Sequence, residues 1–222
     1  MTPPRPAISS AMEDYLKAIF ELGEAKVKTQ DLAGVLGVSS ASVTGMLKKL
    51  DELKLVDYER YYGASLTSTG RLVALETLRH HRLLETYLMQ ALGYGWDEVH
   101  DEAEKLEHVI SEDFEERIAE LLGNPTHDPQ GDPIPSRDGR VPESRGQPLS
   151  NLEVKQTAEV TRILNQQAEV LRYLADNGLV LGAEVQLIER APFAGPLVIR
   201  TGATQLPLAL ELAEQIYAEV TS

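Results

Sequence analysis

The sequence predicts a mainly α-helical protein that begins with a helix-turn-helix and ends in a small barrel of short strands. Apolar residues recur at helical spacing in three short segments of the first 53 residues and in two longer segments between residues 71 and 122. A Gly-containing turn separates the second short segment from the third. The last 70 residues contain short strand-like runs bounded by turn residues.

The N-terminal helices are predicted over residues 10–22, over residues 30–37 after Thr29, and from the caps Ser39 and Ser40 to about residue 53. Gly37 is a residue type that commonly terminates a helix, and it falls in the turn between the second and third helices. Ser39 and Ser40 are N-cap residues for the third helix, whose apolar positions form one stripe. These signals predict a helix-turn-helix.

The segments after the helix-turn-helix predict a hairpin, then two longer helices, and then a stretch without regular structure. Two strand-like runs within residues 55–67 predict a β-hairpin, which would complete a winged helix. Longer helices are predicted over 71–92 and 96–122. Residues 124–150 are rich in Pro and Gly and predict a linker that is partly ordered against a domain.

The C-terminal region has an αβ pattern. We expect a helix over 165–176, strands over 184–189 and 196–200, and a terminal helix over 208–220. Strands this short favour a small half-open barrel. Together with the preceding segments, they predict a mainly helical chain with one β-rich end.

Composition excludes several classes of protein. The 222 residues include no cysteine, which excludes disulfides, a cysteine nucleophile and a thiolate metal site. No apolar run approaches the roughly 20 residues that span a bilayer, and the N-terminus lacks the order of a signal peptide. We therefore expect a cytoplasmic protein without membrane contact. The sequence contains no HExxH, GxSxG, P-loop or dinucleotide motif, which argues against an enzyme.

The net charge of −14 argues against a nucleic-acid partner, but the charge is unevenly distributed. Residues 1–75 contain nine basic and nine acidic side chains. Residues 76–150 contain seven basic and seventeen acidic side chains, a net charge of −10. The first third can therefore contact DNA, while the acidic middle suits a cation.

The acidic middle contains histidines and carboxylates at regular spacing. On the predicted helix 96–122 they are His100, Glu104, Glu107 and His108; on the preceding helix, His81 and Glu85 lie four residues apart. Imidazole nitrogens and carboxylate oxygens on one helical stripe suit a divalent first-row cation. The sequence therefore predicts a metal site in this region.

The alternative is a solvated acidic helix face, since residues 97–120 contain eleven acidic side chains against two basic ones. Three of the five histidines lie at ligand spacing, which favours the metal site. The other two, His80 and His127, are predicted to be structural or to face solvent.

DNA contacts are expected from the start of the third helix and from the hairpin. The candidates are Thr29, Ser39, Ser40, Ser42, Thr44, Lys48, Lys49, Arg60 and Tyr62. The hydroxyl side chains suit bases or phosphates, while the large base-reading residues Arg, Asn and Gln are missing from the start of the helix. A winged helix used for protein contacts is the alternative.

Several segments together resemble the diphtheria-toxin-repressor type of metal-dependent transcription regulators, in particular their manganese-sensing branch. They are AMEDYLKAIFEL, SSASVTGMLKKLDELKLV, YYGASLTSTGR, RHHRLLETYL, VHDEAEKLEHVISE and GNPTHDPQGDPIPS, with LRYLADNGLVLGAEV matching more loosely. The resemblance implies a homodimer built from a winged-helix domain (1–75), a helical dimerisation and metal-binding domain (76–143) and a C-terminal SH3-like domain (150–222), with a linker at 144–149.

The resemblance also implies two metal sites. The primary site would use Asp14, Glu104, Glu107 and His108, and the ancillary site His81, Glu85 and His100, completed by Glu169 from the C-terminal domain. Iron-responsive members have a methionine and a cysteine where this chain has Asp14 and Glu104. Because oxygen ligands replace sulfur ligands, the preference of the site should shift towards Mn²⁺. Fe²⁺ is the alternative, and other divalent transition metals are expected to bind in vitro.

Two positions depart from patterns within the family. Lys17 stands where some manganese sensors have a second carboxylate on the first helix, and Gly45 stands where some iron-type members have a base-reading glutamine. We therefore do not expect a primary site with two metal ions. Nor do we expect the operator to have the sequence that iron-type members bind.

The implied function is metal-gated repression of metal-uptake genes. A divalent ion would tie the winged helix to the dimer core and set the spacing of two recognition helices on a palindromic double-stranded DNA operator. A metal-dependent hydrolase and a metal buffer that use the same Glu/His cluster are the alternatives.

Overall fold

The computed structural model describes residues 8–23 and 25–221. The first seven residues, which form part of the N-terminus inspected for a signal peptide, lie outside the described chain, as do residues 24 and 222. The described residues form two compact units. The first contains residues up to 80 with 107–110 and 135–140, and the second contains 81–106, 111–134 and those from 141 onwards.

The first unit is built on three helices and a hairpin: α1 (Ser10–Leu22), α2 (Thr29–Val35), α3 (Ser40–Glu52), β1 (Val56–Glu59) and β2 (Gly63–Leu66). Ser39 caps α3, because its hydroxyl accepts a hydrogen bond from the Ser42 backbone at 3.2 Å. Gly37 takes a left-handed backbone conformation, with φ of 64°, between α2 and α3. This is the predicted helix-turn-helix with its wing.

A hydrophobic core fixes the three helices against one another. Leu16 and Ile19 of α1 pack with Leu32 of α2 and with Leu47 and Leu50 of α3, and all five are almost completely buried. The position of α1 is therefore coupled to that of α3 through close-packed side chains.

The hairpin is attached to the core through the segment before α2. The backbones of Val27 and Ala64 exchange two hydrogen bonds. Gly63 has φ of 110°, and a Cβ there would lie 2.2 Å from the Val27 carbonyl oxygen. Glycine is required at this position because the two chain segments approach so closely.

The middle of the chain forms α4 (Ser68–Leu92), α5 (Val99–Leu106) and α6 (Glu112–Leu121). The prediction of one helix over 96–122 is therefore wrong, because a turn after Leu106 separates two helices. Ser111 starts the second of these, since its hydroxyl accepts a hydrogen bond from the Phe114 backbone at 3.2 Å. Acidic residues in the first turn of α6 also stabilise a helix start there.

The C-terminal part forms a six-stranded antiparallel sheet of order β3-β8-β4-β5-β6-β7. The strands are β3 (Gln147–Pro148), β4 (Thr157–Ile163), β5 (Glu184–Arg190), β6 (Leu197–Thr201), β7 (Thr204–Leu208) and β8 (Ile216–Val220); the helices are α7 (Ala168–Asp176) and α8 (Leu210–Ala213). β3 lies within the segment 144–149 that was predicted as a linker.

The predicted terminal helix over 208–220 is wrong. Only Leu210–Ala213 is helical, and Ile216–Val220 is a strand that pairs with both β3 and β4. Long-range pairing decides this segment, because Ile216 and Ala218 are buried in the core of the sheet. The architecture is mainly helical with a β-rich C-terminal part, as predicted, and no helix among the described residues is long and apolar enough to cross a membrane.

Candidate metal centre

Three predicted ligands meet in the first unit. Asp14 lies on α1, while Glu107 and His108 lie in the turn that follows α5. His108 Nε2 is 2.7 Å from Asp14 Oδ1 and 3.4 Å from Glu107 Oε1. One donor atom from each residue falls within 4.8 Å of the other two. We call these residues the α1 cluster. Two oxygens and one imidazole nitrogen at such distances suit a divalent cation.

The imidazole of His108 is held from its other side by Glu13. His108 Nδ1 lies 2.6 Å from Glu13 Oε2, and both side chains are largely buried. A carboxylate on one ring nitrogen orients a ligand histidine and leaves the opposite nitrogen for the metal. Sequence analysis missed Glu13, although its position beside Asp14 on α1 was a signal.

A lysine also enters the α1 cluster. Lys17 Nζ lies 2.9 Å from each carboxylate oxygen of Glu107, whose side chain is fully buried. The backbone oxygen of Glu107 lies 3.0 Å from Nδ1 of His80, which is buried as well. His80 therefore has a structural contact, consistent with its prediction.

The charge balance of the α1 cluster affects Asp14. Burial raises the pKa of Asp14 above its ordinary value, and the negative charge of Glu107 adds to this effect. His108 and Lys17 act in the opposite direction without cancelling the increase. Asp14 is therefore a carboxylate that gains from a further positive charge nearby.

A second group of donors lies in the second unit, on α4 and α5. His81 Nε2 is 3.1 Å from Glu85 Oε1 and 3.1 Å from His100 Nδ1, and His100 Nδ1 is 3.2 Å from the same Glu85 oxygen. Glu104 Oε1 lies 3.7 Å from His81 Nδ1. We call these four residues the α4–α5 cluster.

Glu85 is the buried carboxylate of the α4–α5 cluster. Burial opposes its ionisation, but the charge of His81 and the hydrogen bonds with His100 and His81 outweigh burial and lower the pKa of Glu85 to about 2. Its second oxygen, Oε2, is buried and has no hydrogen-bond partner among the described residues. An ionised carboxylate with an unsatisfied oxygen beside two imidazoles fits a metal ligand.

The structure separates the predicted ligands differently from the sequence pattern. Glu104 belongs to α5 and lies near His81, whereas Glu107 and His108 lie beyond the end of that helix. His108 was predicted as a ligand from its spacing on one continuous helix, but its backbone lies in a turn after the helix ends. Glu169 lies exposed in the first turn of α7, and its role as a ligand stays a prediction.

A buried polar network surrounds the Pro-rich segment of the second unit. Asp132 accepts hydrogen bonds from Arg162 at 2.5 Å and from Gln166 at 3.0 Å. Arg82 donates to the Pro133 carbonyl oxygen at 2.6 Å, and its Nε lies 3.7 Å from Asp128 Oδ2. Sequence analysis assigned no role to these residues, because the network depends on long-range pairing.

Asp128 is the residue of this network whose ionised form is disfavoured by its surroundings. Burial and the negative charges of Glu85 and Asp132 raise the pKa of Asp128 well above its ordinary value, against the attraction of Arg82. Its Oδ1 accepts hydrogen bonds from the backbones of Gln130 and Asp132, which closes a turn. His127, next to Asp128, is partly exposed and contacts Thr126.

Comparison with known proteins covers nearly the whole chain. Residues 7–64 match the N-terminal DNA-binding domain of iron-dependent repressors, residues 67–136 match their metal-binding and dimerisation domain, and residues 147–220 match the FeoA domain. A manganese-dependent transcriptional repressor in complex with manganese is 38% identical, with a TM-score of 0.88, over 95% of this chain and 100% of that one. The chain belongs to the iron-dependent repressor family, whose members include the diphtheria toxin repressor.

Other members of the family are also similar over most of their length. ScaR with bound Cd²⁺ is 33% identical, with a TM-score of 0.82, over 94% of this chain and 98% of that one. The iron-dependent repressor IdeR of Mycobacterium tuberculosis (strain ATCC 25618 / H37Rv) is 29% identical over 93% of this chain and 96% of its own.

Membership of the family settles the general function. The chain is a metal-dependent DNA-binding transcriptional repressor that binds divalent metal ions, and it is not an enzyme. The hydrolase and metal-buffer alternatives are therefore wrong.

The predicted DNA-contacting residues of this repressor lie mostly on its surface. On α3 and its cap, the exposed residues are Ser39, Ser40, Ser42, Lys48 and Lys49. Thr44 on the same helix is partly buried. Arg60 and Tyr62 are exposed at the tip of the hairpin, and Thr29 is partly buried at the start of α2. Their contacts with DNA stay predictions.

Proposed function

We propose that this repressor responds to Mn²⁺ and binds a palindromic double-stranded operator as a homodimer, in the cytoplasm, at genes for metal uptake. The observation that carries the proposal is the α1 cluster, in which Asp14, Glu107 and His108 offer oxygen and nitrogen donors within 4.8 Å of one another. These donors come from two distant parts of the sequence. Asp14 lies on α1, whereas Glu107 and His108 lie in the turn that follows α5.

The donor chemistry favours manganese. Carboxylate oxygens suit Mn²⁺, and the chain contains no cysteine that would favour softer metals. Among similar solved structures, a manganese-dependent transcriptional repressor is 38% identical to this chain and the IdeR of T. acidophilum is 26% identical. Intrinsic affinity for Fe²⁺ exceeds that for Mn²⁺ at most nitrogen and oxygen sites, so Fe²⁺ is the alternative effector.

The proposed ligands form two sets. Asp14, Glu104, Glu107 and His108 would hold the ion of the primary site, and His81, Glu85, His100 and Glu169 that of the ancillary site. The geometry supports Asp14, Glu107 and His108 as one group, and the contacts within the α4–α5 cluster support His81, Glu85 and His100 as another.

The chain's own residues explain how the primary site acts on DNA binding. Glu13 orients His108, and Asp14 presents its carboxylate to the same imidazole from α1. Once bound, a divalent cation supplies the positive charge that offsets the repulsion between Asp14 and Glu107. Since α1 and α3 share one hydrophobic core, a restraint on α1 would also restrain the recognition helix.

A homodimer follows from the match to a dimerisation domain and from the geometry of operators. Two recognition helices can contact one duplex when their spacing fits half-sites about 34–36 Å apart or a multiple of this distance. Metal binding that fixes this spacing raises DNA affinity, and DNA must then raise metal affinity by the same factor.

The test begins with selection of duplexes from a random library by the full-length protein in Mn²⁺. We expect the selected duplexes to contain an inverted repeat. Fluorescence anisotropy then compares their binding in chelator, Mn²⁺, Mg²⁺ and, without oxygen, Fe²⁺. Binding should be at least tenfold tighter in Mn²⁺ than in chelator or Mg²⁺. Equal binding in chelator would refute metal gating, and a response to Fe²⁺ but not to Mn²⁺ would refute the assigned metal.

A further inference from the structure

Lys17 occupies an unusual position for a lysine. It lies one turn after Asp14 on α1, its side chain is only 10% exposed, and its ammonium group contacts both oxygens of Glu107 at 2.9 Å. The side chain of Glu107 is fully buried. The same carboxylate lies 3.4 Å from His108 in the α1 cluster.

A buried carboxylate requires a positive charge nearby. Without one, the cost of removing it from water strongly disfavours its ionised form. Lys17 supplies this charge from within the protein, since its ammonium group lies 2.9 Å from each carboxylate oxygen of Glu107. The Lys17–Glu107 pair therefore stabilises the metal-free α1 cluster.

The same pair opposes the arrival of a metal ion. A divalent cation held by Glu107 and His108 must displace the ammonium group from a carboxylate oxygen or remain a few ångströms from it. Both alternatives weaken metal binding: the first breaks a buried ion pair, and the second places two positive charges close together in a poorly solvated site.

We infer that Lys17 is an internal competitor for the metal ion, which weakens the primary site and so raises the metal concentration at which the repressor responds. This inference rests on the proposed function, because it takes Glu107 and His108 as ligands. Lys17 is not itself a ligand, and it acts only through Glu107.

The test measures Mn²⁺ binding to the full-length, metal-stripped protein from the electron paramagnetic resonance signal of free Mn²⁺. The substitutions are Lys17→Met, which removes the charge and the hydrogen bonds, and Lys17→Arg, which keeps both. Lys26→Met is the matched control, since Lys26 is an exposed lysine of the same unit that is paired with Glu59. All are made in wild-type and His100→Ala backgrounds, the latter weakening the α4–α5 cluster.

We expect Lys17→Met to bind Mn²⁺ at least tenfold more tightly than wild type. Lys17→Arg and Lys26→Met should bind within threefold of wild type. Without metal, Lys17→Met should also unfold at a lower temperature, and Mn²⁺ should raise its unfolding temperature more than that of wild type, because the ion then supplies the charge that Lys17 provided.

One result would overturn the inference. Equal or weaker Mn²⁺ binding by folded Lys17→Met would show that Lys17 only positions Glu107. If Lys17→Met does not fold even with Mn²⁺, Lys17→Gln, which can donate a hydrogen bond to Glu107 without a charge, decides by the same affinity criterion. A failure of the proposed function is separate, since it would appear as unchanged Mn²⁺ binding in His108→Ala.

Discussion

The imidazole Nε2 of His108 lies 2.7 Å from the carboxylate of Asp14. Asp14 belongs to the first helix of the DNA-binding unit, and His108 to a turn that follows α5. Since α1 shares its core with α3, this contact would connect the proposed metal site to the proposed DNA-contacting helix.

Glu13→Ala should weaken Mn²⁺ binding at the primary site by about 10- to 100-fold, because the ring of His108 loses the carboxylate that orients it. Glu13→Gln, which keeps a hydrogen-bond acceptor, should lose less. The measurement is Mn²⁺ affinity by calorimetry, with the exposed Glu21→Ala on the same helix as the control. Equal affinities for Glu13→Ala and wild type would show that Glu13 does not support His108.

Asp128→Asn should change how stability depends on pH. Because burial and neighbouring charges raise the pKa of Asp128, the folded metal-free protein holds this proton to a higher pH than the unfolded chain does. This carboxyl therefore contributes stability at low pH that is lost as pH rises from the unfolded pKa, about 3.9, towards the folded one.

Asparagine keeps the turn, since its side-chain oxygen can accept the hydrogen bonds from the Gln130 and Asp132 backbones. Thermal unfolding between pH 4 and pH 8 should therefore show Asp128→Asn gaining stability relative to wild type as pH rises. A difference that stays constant, or that falls with pH, would contradict the raised pKa.

Asp132→Ala should destabilise the second unit by about 2 kcal/mol, because it removes the buried carboxylate that accepts hydrogen bonds from the partly buried Arg162 and from Gln166. Denaturant unfolding of the metal-free protein measures this loss. Asp113→Ala is the matched control. Asp113 pairs with Arg117 on the exposed face of α6, so its removal should lower the unfolding midpoint much less than Asp132→Ala does. Similar effects of the two substitutions would show that the network does not stabilise the fold.

Lys49→Ala should weaken binding to every DNA sequence by a similar factor, if Lys49 contacts phosphate as predicted. The slope of log affinity against log salt concentration should then become less negative by about 0.9. Lys105→Ala, at an exposed lysine of the middle region paired with Glu102, is the control and should keep the wild-type slope. A slope unchanged in Lys49→Ala would remove Lys49 from the predicted DNA contacts.

The winged helix was predictable because local signals determine its elements. Gly37 and Ser39 fix the turn and the start of α3 without help from distant residues. In contrast, β8 lies inside the segment 208–220 that was predicted as one helix, and its place in the sheet depends on pairing with β3 and β4. Such pairing between distant segments leaves no periodic signal in the sequence.

The residue types of the candidate metal centre were predictable from the sequence, but their arrangement was not. The pattern identified His108 and Glu107 on the assumption of one continuous helix, whereas the helix ends at Leu106. Ser111, a cap residue that sequence analysis passed over, was the signal for this break. The contacts of Glu13 and Lys17 with the turn depend on its tertiary position, so no local pattern predicts them.

We propose that Asp14 and His108 form part of one metal site that controls DNA binding. It is tested most directly by fluorescence anisotropy with the selected operator in saturating Mn²⁺, comparing wild type with Asp14→Ala and His108→Ala. We expect both variants to remain folded and to lose the response to Mn²⁺, binding no more tightly than wild type does in chelator. A wild-type Mn²⁺ response in either folded variant would contradict the account.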